Sequence, residues 1–340
     1  MAEKNMDERK DNRRPAVRLW IKANEETLIK QSRSFSLPVL KLDSRFKTPV
    51  MVQYNLNKAI DTIEDSTALE VGEKIDLIRT FCHYLQKDTW SSEIKKRMLQ
   101  VSPPDESFVF SNYEHIISLY NTLSKEEKSL SKRWTVEMGE GMCRFLTQVI
   151  HTPKDLNDYC YYVAGTVGIY LTELLRLKGT NVTEETFLKL RERAVSFGTF
   201  LQKLNIIRDF IEDKATRNRT FWPQIYFKQE KNLVKILNKM ADETFSNDLP
   251  RAIDYYTYLP AGNESFEYFI RFILASGIEY LKILKGNKSV FSTTKVKLPK
   301  TFITNLYAKL AALDNKQFAD YCKESCALRH YETTIRSVLK

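Results

Sequence analysis

The stretch NKAIDTIED, residues 57–65, decides how this chain folds. Around it Val52, Leu56, Ala59, Ile60 and Ile63 recur every three or four positions, the period of a helix with one buried face. Asp61 and Asp65 are four apart, so they lie one turn above each other on one side of that helix. Tyr54 and Lys58 fall on the same side, and Glu64 sits beside it. A second stretch, NIIRDFIED at residues 205–213, repeats the arrangement. There Gln202, Asn205, Asp209 and Asp213 share a face, with Glu212 adjacent. Two such patches far apart in the chain read as two halves of one function.

Working outward, helical spacing dominates from about Leu19. Only 10 Gly and 10 Pro in 340 residues leave few turn formers for a sheet-rich fold, and 43% hydrophobic residues suffice for a sizeable core. The expectation is an all-α fold. It has a mobile charged N-terminal arm over residues 1–18 and a single domain over 19–340. Helices are expected over 48–64, 72–85, 132–150 and 155–177, and from about residue 185 to Asp213. Breaks are expected at 102–107, 178–185 (with Asn181 or Thr183 as a cap), 214–223, 259–265 and 286–300. The last is the only stretch with strand character.

Lys and Arg total 53 against 43 Asp and Glu, a formal net charge of +10. That balance suits nucleic acid, an anionic membrane or a polyanionic small molecule. The sequence has neither zinc-finger spacing nor a basic-aromatic RNA-binding box, so nucleic acid is not expected. Cys82, Cys143, Cys160, Cys322 and Cys326 are scattered and odd in number, which fits reduced thiols. No stretch of about 18 or more apolar residues spans a membrane, and the charged N-terminus is no secretion signal. A cytoplasmic chain with peripheral membrane contact is expected.

Two like charges on one helix face cost stability unless a cation lies between them. Hard carboxylate oxygens suit magnesium, which binds through one or two carboxylates plus substrate phosphate. Two such faces could grip a diphosphate and stabilise it as a leaving group. A lone acidic pair is ordinarily a solvated helix face, and spacing alone leaves both readings open.

Four segments go further: QSRSFSLPVL (31–40), YNLNKAIDTIED (54–65), DYCYYVAGTVGIYL (158–171) and FLQKLNIIRDFIEDKATRNRTFWPQ (200–224). In order and spacing they resemble the squalene/phytoene synthase family, and its squalene-forming branch most. The resemblance implies an isoprenoid synthase helical bundle with a central active-site cavity. It also implies two farnesyl diphosphate substrates, Mg2+ and NADPH, joined head-to-head through presqualene diphosphate and reduced to squalene by a monomer. Carried over by position, Asp61, Asp65, Asp209 and Asp213 match the magnesium-binding aspartates, with Glu64 and Glu212 as further candidates. Ser32, Arg33, Ser34, Lys58, Arg208 and Arg219 match substrate phosphate-binding positions, and Gln202 and Asn205 the amides before the second motif. Tyr54 and Tyr162 match tyrosines beside the reacting carbons.

Lys297 and Lys300 lie in VKLPK, which resembles a basic segment linked to NADPH use. Lys58 stands where the family usually has arginine, Tyr161 where it has histidine and Pro299 where arginine is common. The last departure keeps an alternative in view: a relative that stops at presqualene diphosphate, dehydrosqualene, hydroxysqualene or phytoene without reduction.

Overall fold

The computed structural model describes residues 15–32, 35–103 and 107–327. Arg33, Ser34 and most of the expected N-terminal arm lie outside them. Among the described residues every regular element is helical. The chain divides into two compact units, Met1–Thr135 and Val136–Lys340.

The first unit contains α1 (Pro15–Gln31), α2 (Ser36–Leu40), α3 (Lys47–Asp65), α4 (Val71–Lys87), α5 (Ser92–Val101), α6 (Phe108–Ser111) and α7 (Tyr113–Tyr120). Since α1 starts at Pro15, residues 15–18 are helical rather than part of an arm. Helix α3 is the hub and packs against α1, α4 and α7. It buries Val52, Leu56, Ala59, Ile60 and Ile63, the stripe read from the sequence, and Met51 and Val50 on the flanking side. Between its buried faces Tyr54, Asn57, Lys58, Asp61 and Asp65 form a half-buried stripe. Asp88, in the left-handed region at φ 52°, ends α4.

Helix α8 (Lys125–Thr147) has residues on both sides of the division. The second unit continues with α9 (Pro153–Cys160), a π-helical turn (Tyr161–Gly165), α10 (Thr166–Lys178), α11 (Glu184–Arg208), α12 (Phe210–Thr216), α13 (Gln224–Gln229), α14 (Leu233–Glu243), a second π-turn (Thr244–Asp248), α15 (Leu249–Thr257), α16 (Glu264–Leu284), a 3-10 turn (Lys288–Phe291), α17 (Lys300–Ala311) and α18 (Asn315–Ala327). Thr183 caps α11, its side chain accepting the Thr186 N–H, while Asn181 takes positive φ. Helix α11 is the hub, against α10, α15, α16 and the first π-turn.

That crossing is close because of glycine. A Cβ on Gly198 would come 2.0 Å from the Ala164 carbonyl oxygen, and one on Gly168 would come 2.1 Å from that of Ala194. Both distances are far inside van der Waals contact.

Two further expectations need correction. The helix expected to run to Asp213 stops at Arg208; Asp209 has φ −92° and ψ 10° and joins it to the short α12. Residues 286–300 form no strand. Their β-branched residues have no neighbouring strand to pair with, and an isolated extended segment gains no ladder.

Candidate functional site

The first acidic motif is assembled on α3. Lys58 Nζ lies 2.5 Å from Asp61 Oδ2. Burial alone would pull the Lys58 ammonium down, but Asp61 and then Asp65 outweigh it and hold it charged, above the ordinary lysine range. The Tyr54 hydroxyl is pushed up to about 12, by burial first and against the pull of Lys58 and of its hydrogen bond to Ser32, with Asp61 adding to the rise. Tyr54 therefore stays a neutral phenol. Its ring stacks on Phe35 with centroids 5.7 Å apart, and Ser32 Oγ also accepts the Phe35 N–H at 3.0 Å. Ser32, Tyr54, Lys58 and Asp61 are thus one connected cluster. Glu64 is 4% exposed, and its backbone carbonyl receives Lys74 Nζ at 2.7 Å.

The second motif straddles the break after α11. Arg208 grips Asp209 with both arms of its guanidinium, Nε donating to Oδ1 at 2.7 Å and Nη2 to Oδ2. Burial would lower the Arg208 pKa, yet its bond to Asp209 and that carboxylate's charge raise it. Arg217 Nη1 donates to Asp213 Oδ1 at 2.6 Å, and Asp213 is buried. Arg219 is placed by the backbone: its N–H reaches the Asp213 carbonyl at 3.1 Å, and its Nη2 reaches the Phe145 carbonyl at 2.6 Å. Asn205 donates to Gln202 Oε1 at 3.3 Å, so the two amides do share a face. Under the motif Phe210 packs on Trp222, whose indole N–H donates to the Ile206 carbonyl.

Tyr162 sits in the first π-turn. Such turns insert one residue into a helix and re-aim its side chains. The ring lies 6.3 Å from Phe145 and 5.1 Å from Tyr161, centroid to centroid. It lies so close to α8 that a Cβ on Gly141 would fall 2.0 Å from Tyr162 Cγ. Tyr161, in the position of a usual histidine, donates toward Glu137 at 3.4 Å.

Lys297 and Lys300 are exposed, Lys300 as the first residue of α17. Sequence reasoning passed over Lys295, which lies 3.5 Å from Asp209 Oδ1 and ion-pairs Glu212. No signal on its own segment marks it. It also passed over Arg217, which the i,i+4 rule could have paired with Asp213.

Among the described residues no three His, Cys, Asp or Glu side chains gather into a protein-only metal cage. Magnesium does not need one, since it keeps waters and takes carboxylates singly or in pairs beside phosphate. The donors here are hard oxygens of that kind, each motif already bearing cations of the chain itself.

The squalene/phytoene synthase family model matches residues 28–300. The chain is 33% identical over 273 residues to squalene synthase of Rattus norvegicus, covering 76% of this chain and 62% of the relative. It is 32% identical over 199 residues to squalene synthase 1 of Arabidopsis thaliana, covering 58% of this chain and 46% of the relative. It thus spans between 46% and 62% of the length of these relatives. Among solved structures, TcSQS with the ligand BPH1237 matches with a TM-score of 0.79 at 28% identity, over 94% of each chain. A dehydrosqualene synthase at 18% identity, covering 91% of this chain and 99% of that one, shares the fold with a TM-score of 0.59.

Proposed function

Because the chain belongs to the squalene/phytoene synthase family, we propose that it is a prenyltransferase that joins two farnesyl diphosphates into presqualene diphosphate and reduces this to squalene with NADPH. The observation that carries the reading is the charge pattern of the two motifs. Asp61, Asp209 and Asp213 each face a cation of the chain, Lys58, Arg208 and Arg217. Alternating carboxylates and cations suit a diphosphate delivered with divalent metal. Bound magnesium would neutralise the departing diphosphate.

The chain's own groups do the rest. Lys58, Arg208 and Arg219 bind phosphate oxygens, and Ser32 with the SRS segment, whose Arg33 and Ser34 lie outside the described residues, assists. Tyr54 presents a neutral hydroxyl and an aromatic face to the allylic cation. Tyr162 Oη relays the proton released as the cyclopropane closes, giving its own proton to the departed diphosphate as it accepts the new one. Gln202 and Asn205 orient the second motif. Lys297 and Lys300, beside the start of α17, receive the NADPH phosphates. Both motifs serve one reaction, and the family match runs through residues 28–300, on either side of the division between units, which supports a single functional domain over residues 19–340.

No helix among the described residues is long and apolar enough to cross a membrane. A net charge of +10 suits peripheral contact of a monomer with an anionic bilayer, where an apolar product must go. The test is incubation with farnesyl diphosphate, magnesium and NADPH, followed by mass analysis of the lipid. Squalene should form only with NADPH, and Asp61→Asn or Asp209→Asn should abolish turnover with the fold retained. Near-normal turnover in both variants would defeat the proposal.

A further inference from the structure

Asp209 faces two cations of the chain, Arg208 and Lys295. Both its oxygens are engaged by Arg208, and Lys295 comes to 3.5 Å of Oδ1 while pairing Glu212. Lys295 belongs to the irregular run that follows the 3-10 turn and precedes α17. The next residue holds the same run to the site a second way: the Tyr280 hydroxyl donates to the Val296 carbonyl, and Arg208 lies 5.8 Å over the Tyr280 ring. Lys297 and Lys300, which the proposed function assigns to the reductant, are on this run and at its end. Two adjacent residues therefore fasten the reductant-binding segment to the second acidic motif, one by charge and one by a hydrogen bond.

Resting on that reading of the motif, we infer that Lys295 is a built-in counter-cation that competes with divalent metal for Asp209 and Glu212, and that metal loading frees the segment carrying Lys297 and Lys300. A metal ion needs the carboxylate lone pairs that Lys295 covers, and two cations cannot share them without repulsion. The main-chain bond from Tyr280 keeps the released segment nearby. The device orders the chemistry: the reductant's segment is set loose only after the diphosphate site is charged.

The test uses the full chain in an Asp61→Asn/Asp65→Asn background, which removes both aspartates of the first motif. Magnesium alone is titrated at constant ionic strength, followed by thermal shift and calorimetry. Brief trypsin digestion in parallel reports cleavage after Lys297. Lys295 is partly exposed, so its loss as Lys295→Met should tighten magnesium binding by about two- to five-fold. The exposed Lys288→Met, which removes the same charge on the 3-10 turn, should leave affinity unchanged. Magnesium should speed cleavage after Lys297 with Lys295 present, and with Lys295→Met cleavage should already be fast without metal. Equal affinity with and without Lys295, an equal shift in the Lys288 control, or cleavage indifferent to magnesium would each overturn the counter-cation while leaving the metal reading intact. No magnesium response at all, even with inorganic diphosphate added, would overturn both.

Discussion

Gly141→Ala is the sharpest probe of how the fold holds Tyr162, the tyrosine proposed to move the proton. An alanine Cβ would stand 2.0 Å from Tyr162 Cγ and 2.3 Å from its Cβ. Carbon atoms in contact sit at about 3.5–4.0 Å, so ring and helix must separate by roughly 1.5–2 Å. The atoms struck are the root of the side chain, and rotation about the ring cannot relieve them. Overpacking of this kind costs about 1–3 kcal/mol, here at the upper end, against about 1 kcal/mol gained from replacing a helical glycine. A net loss of about 1–2 kcal/mol in urea denaturation is expected. Single-turnover conversion of farnesyl diphosphate should fall further, about a hundred-fold, because reacting groups displaced by an ångström lose their alignment. Gly72→Ala is the matched control: nothing lies within 4 Å of its added Cβ, so it should be neutral or gain up to about 1 kcal/mol. If Gly141→Ala matches the wild type in both stability and turnover, the close approach of α8 to Tyr162 does not exist in solution and the positioning argument fails.

Other outcomes can be measured on the same preparations. Lys203 and Asp248 form an ion pair at 2.6 Å with side chains 10% and 11% exposed, so Lys203→Met should cost about 3–5 kcal/mol by stranding a buried carboxylate; Lys203→Met with Asp248→Asn should recover much of it, and an equal cost in single and double variants would rule out the pair. Burial works to raise the Asp88 carboxyl, but hydrogen bonds from Lys132 and Tyr120 outweigh it and leave its pKa below the usual range. Its stabilising contribution is therefore present above about pH 4 and lost as pH falls through the lowered folded pKa. Asp88→Asn should flatten that acid limb in urea midpoints taken across pH, and an unchanged limb would count against the assignment. Lys58→Met should lower kcat/KM for farnesyl diphosphate by about ten- to a hundred-fold, with Lys58→Arg retaining most of it; a Met variant with unaltered kcat/KM removes Lys58 from substrate binding.

The helices of this protein were readable where burial alone sets the period. On α3 the apolar positions and the Tyr54–Lys58–Asp61–Asp65 stripe emerge as the spacing implies, because one continuous helix carries both. The second motif reads just as periodic, yet the helix breaks at Asp209. At the break Asp209 is held by its neighbour Arg208 and approached by the sequence-remote Lys295, and helical period does not contain that second contact. The π-turn under Tyr162 was invisible for a similar reason: YYVAG is ordinary helical sequence, and the extra residue is accommodated by close glycine crossings on the neighbouring helices. Lys295 was passed over because its partners lie on α12 and at the α11 terminus, elements remote in sequence.

The π-turn at Tyr161–Gly165 also sets how this protein tolerates loss of sequence. Excising one residue within it would restore a regular helix, which the backbone should accept readily. The helices on either side would keep their facing, because the turn absorbs its extra residue locally, while side chains within the turn would be re-aimed by up to about 100°, turning the tyrosine hydroxyl away from its present neighbours. A one-codon deletion here should thus give a folded but inert protein, a dissociation of foldability from catalysis that few single positions in a helical bundle offer.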